Sequence, residues 1–311
     1  MKQFARFVVN QRKLVLVVAL LLAVLAVFGV IATKINYDIL TYLPSDLESV
    51  IGEQYLDKDF NIASTAMVTV ENMTNSDVLS LKDEISKIDG VQSVYWIDDV
   101  ADLSIPKEML PEDLKNTFYS ENGTLILVTF SDSTSSESTM GAISQIKKDL
   151  RTDCLIGGLS AVAEDTKDLT DREVPIYILI AVALVLVVLY LGVSSTVVPA
   201  LILAGIGFAI VYNFGTNIFL GQISYITQSL ATVLQLGVTM DFSIFLIHRY
   251  EEEKTKRGDK DEAMVHAIVK SFVSIFGSSL TAIAGFLALC TMSLTLGADI
   301  GIVMAKRVFI D

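Results

Sequence analysis

Asp241 is a lone carboxylate inside an apolar run, residues 227–247, in the string Gly237-Val-Thr-Met-Asp241-Phe-Ser-Ile-Phe-Leu-Ile-His-Arg-Tyr-Glu-Glu-Glu253. A run of that length crosses a bilayer, which takes ~20 apolar residues. An acid within it costs ~2.5–3.5 kcal/mol on insertion scales. Groups that expensive carry protons, bind ions or hold helices together. On a helix, positions three and four apart share a face, so Gly237 and Leu234 lie along the face of Asp241. Gly237 leaves that face open to a neighbouring helix. Gln228, Gln235, Thr239 and Ser243 add polar atoms elsewhere around the helix, of the kind that joins helices in membranes. Proton or ion translocation is the first reading of Asp241. A protonated acid serving as interhelical glue is the second, and an acid hydrated near the membrane surface is the third. Asp299 is a weaker candidate, expected at the outer end of its helix. His248 and Arg249 mark a membrane boundary. The spacing of residues offers no nucleophile triad, metal cluster or phosphate loop, so no metal, cofactor or enzymatic activity is expected.

The elements that must position Asp241 are mostly membrane helices. The chain has 311 residues, 52% of them hydrophobic and 19% charged, with mean hydropathy +0.56. That balance describes a membrane protein rather than a soluble domain. The net charge of −13 is uneven: residues 34–172 hold 11 Lys and Arg against 26 Asp and Glu, a local −15. Nucleic acid is excluded as a partner of so acidic a surface, which reads as a well-solvated domain. The two cysteines, Cys154 and Cys290, fall in segments of different character and are not expected to bridge.

Residues 14–32 form a first apolar helix preceded by Lys2, Arg6, Arg12 and Lys13 with no acid. The core is too long for a cleaved signal peptide, and the basic flank places the N-terminus in the cytoplasm. Residues 34–172 then lie outside. There, residues 64–70, 91–97 and 124–130 read as strands and 155–156 as the start of a fourth. Residues 77–88 and 135–150 show helical spacing. That βαββαβ order is the ferredoxin-like arrangement, with 98–120 a loop holding a short helix. Further membrane helices are expected at 174–191, with Pro175 in the first turn, at 197–212, through Asp241 to His248-Arg249, and at 268–290. A tight cytoplasmic connection is expected at 192–195 and a cytoplasmic loop at 249–261. Gly205, Gly207 and Gly277 read as close-packing positions. A sixth helix opens at 299–304, meets Lys306-Arg307 and stops short of a crossing. The expected organisation is an α+β membrane protein with three parts. These are 1–33, the first helix; 34–172, an extracytoplasmic α/β domain; and 173–311, helices two to five and a truncated sixth.

The pattern Gly237-x-x-x-Asp241-Phe-x-x-Phe245-x-x-x-Arg249-x-x-Glu252 resembles the fourth-helix motif of the MMPL branch of the resistance-nodulation-division (RND) superfamily. Ile35-Asn-Tyr-Asp38-Ile-Leu-Thr-Tyr-Leu43-Pro44-Ser-Asp resembles that family's stretch after the first helix. The order of one helix, an α/β domain and a helix cluster is similar to one RND half. The resemblance implies a multi-pass cell-membrane protein that drives efflux of a lipid-like or hydrophobic substrate with protons. Asp241 would be the proton carrier, with Gly237 and Phe242 packing beside it. The family usually has Tyr after the acid, so Phe242 keeps the ring and loses the hydroxyl. Family members carry two such halves, so a second RND half or a homo-oligomer is implied as partner, and the chain reads as a fragment. The rival readings are a non-transporting, sterol-sensing-like lipid module and a protein-export accessory subunit.

Overall fold

The computed structural model describes residues 1–60, 62, 64–150, 154–192, 195 and 197–311. Two of the four residues of the connection expected at 192–195 lie outside the described residues. The chain divides into two compact units, one of Met1–Asn36 with Arg172–Asp311 and the other Tyr37–Asp171.

The helical unit begins with α1 (Lys2–Asn10), which the sequence reading did not separate from α2 (Arg12–Ala32). Gln11 alone joins them. A short strand β1 (Lys34–Asn36) follows.

In the α/β unit, α3 (Glu48–Phe60) comes first and was not foreseen, because its apolar residues follow no helical stripe. Then come β2 (Ser64–Glu71), α4 (Asn75–Ser86), β3 (Val91–Tyr95), α5 (Glu112–Phe118), β4 (Gly123–Phe130), α6 (Glu137–Asp149) and β5 (Cys154–Gly157). The sheet order is β3-β4-β2-β5, and every neighbouring pair is antiparallel. Each helix crossover therefore skips one strand, which is the split βαβ topology of the expected ferredoxin-like fold. The alternation in β2 decides its facing: Ala66, Val68 and Val70 are buried while Met67 is exposed. They pack with Ile126, Val128 and Phe130 of β4, Val78, Leu81 and Ile85 of α4, and Ile143 and Ile146 of α6. Thr74 and Asp77 cap α4 reciprocally. Gly90, at φ +92°, makes the turn into β3. β3 ends two residues before the expected 97, because the Asp99 carboxylate accepts the Trp96 N–H at 2.8 Å and winds 97–99 into a 3-10 turn.

The remaining elements are α7 (Leu159–Gly192), α8 (Val198–Gly215), β6 (Gln222–Ser224), α9 (Tyr225–Arg257), α10 (Lys260–Ala288) and α11 (Thr295–Ile310). Among the described residues, α2, α7, the segment Val198–Leu220, α9 and the segment Lys260–Thr291 are long and apolar enough to cross a membrane. β6 pairs in parallel with β1, setting Ile35 against Ile223.

Three boundaries differ from expectation. α7 starts at Leu159, so Pro175 sits in the helix interior rather than its first turn. The expected loop at 249–261 is mostly helix, because Arg249–Glu252 (2.6 Å) and Arg257–Glu253 (2.8 Å) link successive turns. Only Gly258, at φ +75°, and Asp259 interrupt it; Asp259 accepts the N–H groups of Asp261 and Glu262 and starts α10. α11 runs on through Lys306 and Arg307 to Ile310.

Close helix approach also falls elsewhere than expected. Gly205, Gly207 and Gly277 face open space within 4 Å. Tight contacts fall between α2 and α8, where a Cβ on Gly29 would collide with the Gly215 carbonyl oxygen, and between α10 and α11, where a Cβ on Gly301 would lie 2.6 Å from the Phe286 carbonyl oxygen.

Candidate functional site

α9 has two unlike faces. Thr227, Ala231, Thr232, Gln235, Leu236 and Thr239 are buried against neighbouring helices. Leu230, Val233, Leu234 and Phe245 are exposed, and Gly237 and Asp241 share that uncovered side. A Cβ on Gly237 would meet nothing within 4 Å. The carboxylate of Asp241 takes no hydrogen bond or ion pair among the described residues. Phe242 is half-buried beside it. The three residues singled out from the sequence are thus neighbours on one helix, and among the described residues no second element closes over the acid.

The buried face carries a polar network. Asn213 of α8 donates to the Gln235 side-chain oxygen at 3.2 Å. Gln235 and Thr239 donate to the two carboxylate oxygens of Asp311 at 2.9 and 2.7 Å. Ser243 turns back to the Thr239 carbonyl of its own helix, and Gln228 lines a cavity with Thr33 and Thr232. Gln235 and Thr239 thus join helices, as polar residues do in membranes, while Ser243 and Gln228 do not.

Asp299 sits at the other end of α9. It accepts the Ser224 N–H at 2.9 Å and the Thr227 hydroxyl, so it satisfies donors at the helix start that would otherwise be orphaned.

Sequence reasoning missed three charged residues. Lys306 does not stop the sixth helix: its ammonium donates to the Asn213 carbonyl at 2.8 Å and the Thr216 hydroxyl at 2.9 Å, and to the Asn217 side chain. Arg307 is fully buried, with its guanidinium over the Phe286 ring at 5.7 Å and Asp311 one turn on as opposite charge. Glu253 is enclosed between Arg257 at 2.8 Å and Lys270 at 2.6 Å. A run of three glutamates gives no sign of which one is buried; an apolar or small residue every third or fourth place in 260–271 was the available hint.

A family model described as "MMPL family" matches residues 41–311. The chain belongs to the MMPL family. It is a multi-pass membrane protein with the architecture of one RND half: an apolar helix, a mixed α/β segment and several long apolar helices. Among similar proteins, membrane protein YdgH of Bacillus subtilis is 26% identical over 294 residues, covering 88% of this chain and 31% of that protein. Membrane protein ActII-3 of Streptomyces coelicolor is 29% identical over 157 residues, 49% of this chain and 22% of its own length. Membrane protein MJ1562 of Methanocaldococcus jannaschii is 28% identical over 128 residues, 41% of this chain and 32% of that protein. The chain spans about a third or less of the length of these relatives of the MMPL sequence.

Proposed function

We propose that this MMPL chain is the N-terminal half of a proton-driven exporter of lipid-like or hydrophobic substrates, with Asp241 as the proton carrier. The observation that carries the reading is the position of Asp241. It is a carboxylate on an apolar helix, on the one face of α9 left uncovered, with the space beside Gly237 open. In apolar surroundings the charged acid is costly and the protonated acid is not. Proton uptake therefore changes what can pack against that face, and release restores it. A second RND half or a second copy supplies the covering helices. Phe242 and Gly237 set the packing around the acid, and the hydroxyl that a tyrosine would offer is replaced by a ring edge.

Motion of α9 would not be isolated. Glu253 ties its end to α10, and Gln235 and Thr239 tie its middle to α11. In this reading residues 34–172 lie outside the cell and receive substrate, with the N-terminus in the cytoplasm. An apolar cavity of about 250 Å³, lined by Val30, Ile178, Ile210 and Phe214 with Thr33 and Gln228 at its polar points, suits an acyl or similarly apolar group.

The test is proton-dependent efflux in cells carrying the complete locus, compared with Asp241→Asn at equal expression. Loss of export in the variant, with export retained in the parent, supports Asp241 as the coupling acid. Equal export by both would leave Asp241 as interhelical glue and reject the mechanism.

A further inference from the structure

α1 is amphipathic in a way the transport reading does not use. Ala5 and Val9 are buried against Val265 of α10, with Met264, Ile268 and Val269 around them. Two ion pairs flank that contact, Arg6–Glu262 at 2.7 Å and Arg12–Asp261 at 3.6 Å. This accounts for only half of the apolar arc of the helix. Phe4 and Phe7, one turn apart, are 60% and 54% exposed. On the opposite side Lys2, Gln3, Arg6 and Asn10 make a polar arc.

The placement of α1 says what covers the two rings. Gln11 alone separates α1 from α2, an apolar helix of 21 residues, so α1 lies at one end of a membrane span. Residues 1–13 contain four basic side chains and no acid. Arg6 and Arg12 have acidic partners on α10, while Lys2 and Lys13 have none among the described residues. Basic clusters beside a membrane span attract anionic headgroups, and a helix with aromatic residues on one face and Lys or Arg on the other lies in the interface plane. Two rings offer far less surface than the ~1,200 Å² that a stable protein interface buries, so a protein partner is the poorer fit.

We propose that α1 is an interfacial helix, its Phe4 and Phe7 rings set among acyl chains and its free lysines on anionic lipid headgroups, and that it fastens the start of α10 to the bilayer surface.

The experiment places a tryptophan at the exposed ring, Phe4→Trp, in the full chain reconstituted in vesicles; Phe7→Trp serves as an independent reporter. The native background is one residue, Trp96, buried in the core of the α/β unit. Quenching is read with brominated phosphatidylcholine and brominated phosphatidylglycerol at equal mole fraction. The expected result is quenching by both lipids, stronger by about two-fold or more with phosphatidylglycerol, and loss of that preference in Lys2→Gln/Lys13→Gln. That double variant leaves both ion pairs to α10 intact. Equal quenching by the two lipids overturns headgroup recognition. Absence of quenching by either lipid overturns the whole proposal, with red-shifted emission meaning a helix in water and blue-shifted emission meaning rings covered by a second copy or another chain.

Discussion

The Glu253 carboxylate of α9 lies 2.6 Å from the Lys270 ammonium of α10 and is wholly enclosed, while Lys270 keeps 46% of its side-chain surface in solvent. A buried charge with a half-solvated partner is held by geometry: Arg257, one turn on, supplies the second cation at 2.8 Å.

Lys270→Met leaves Glu253 buried with Arg257 alone. The expected cost is about 2–3 kcal/mol, less than the ~3–5 kcal/mol for breaking a fully buried pair, because Arg257 remains. Lys256→Met removes only an exposed partner of Glu252 and is expected to cost ~0–1 kcal/mol. Thermal unfolding followed by helical circular dichroism in micelles checks both; equal losses would mean the enclosed pair has no special weight.

Helix packing offers a sharper contrast. Gly215→Ala drives a Cβ into the Ala26 carbonyl oxygen, and α2 and α8 must part to admit it, at about 1–3 kcal/mol for overpacking. Gly205→Ala meets nothing within 4 Å and is expected to be neutral or to stabilise by up to ~1 kcal/mol through helix propensity. The same unfolding assay applies, and a stable Gly215→Ala protein would disprove the contact.

Acid lability of the α/β unit follows from Asp99. Partial burial pushes its carboxyl upward, but the Lys82 ammonium at 2.6 Å and the Trp96 N–H outweigh that and hold it below the ordinary carboxylate range. A carboxyl depressed by folding contributes stability that is present above its unfolded pKa of ~3.9 and lost as pH falls through the lower folded value. Asp99→Asn should therefore be less stable than the parent at neutral pH, by no more than ~1 kcal/mol, since the carboxylate keeps 39% of its side-chain surface in solvent. The gap should close below about pH 4. Trp96 fluorescence during denaturant unfolding reads this unit directly, and a gap independent of pH would remove the ionic contribution.

Asp299 and Asp241 should fail differently. Asp299→Ala strips the acceptor from Ser224 and Thr227 at the start of α9, with a loss of about 1–2 kcal/mol typical of a removed helix cap. Where the protein still folds, proton dependence of export should persist. Asp241→Asn should leave unfolding unchanged and abolish that dependence. Efflux measured across a range of imposed pH gradients separates the two, and loss of coupling in Asp299→Ala at normal expression would move the site.

Much of the architecture was legible in residue order. Runs of ~20 apolar residues can only be buried or span a membrane, so 14–32 and the later helices announced themselves. Alternation in Ser64–Glu71 and the helical spacing of Val78, Leu81 and Ile85 marked the split βαβ unit, because side-chain period follows backbone geometry locally. The conspicuous carboxylate, Asp241, was legible for the same reason: an acid among apolar neighbours contrasts with its own segment.

Only the tertiary structure decided which polar groups meet. Lys306 and Arg307 read as the end of a helix, yet both turn inward: Lys306 to acceptors on Asn213, Thr216 and Asn217 of a segment about ninety residues away, and Arg307 onto the Phe286 ring. Glu253 differs from Glu251 and Glu252 only by the face on which it falls relative to α10. Gly29 and Gly215 matter, and Gly205 and Gly207 do not, since close approach depends on where two helices cross. The sequence determined the spans, the α/β topology and the single carboxylate of the apolar run 227–247, which are properties of local composition and period. The structure determined the ion pairs, the crossing points and the uncovered face of α9, which exist only once distant segments are brought side by side.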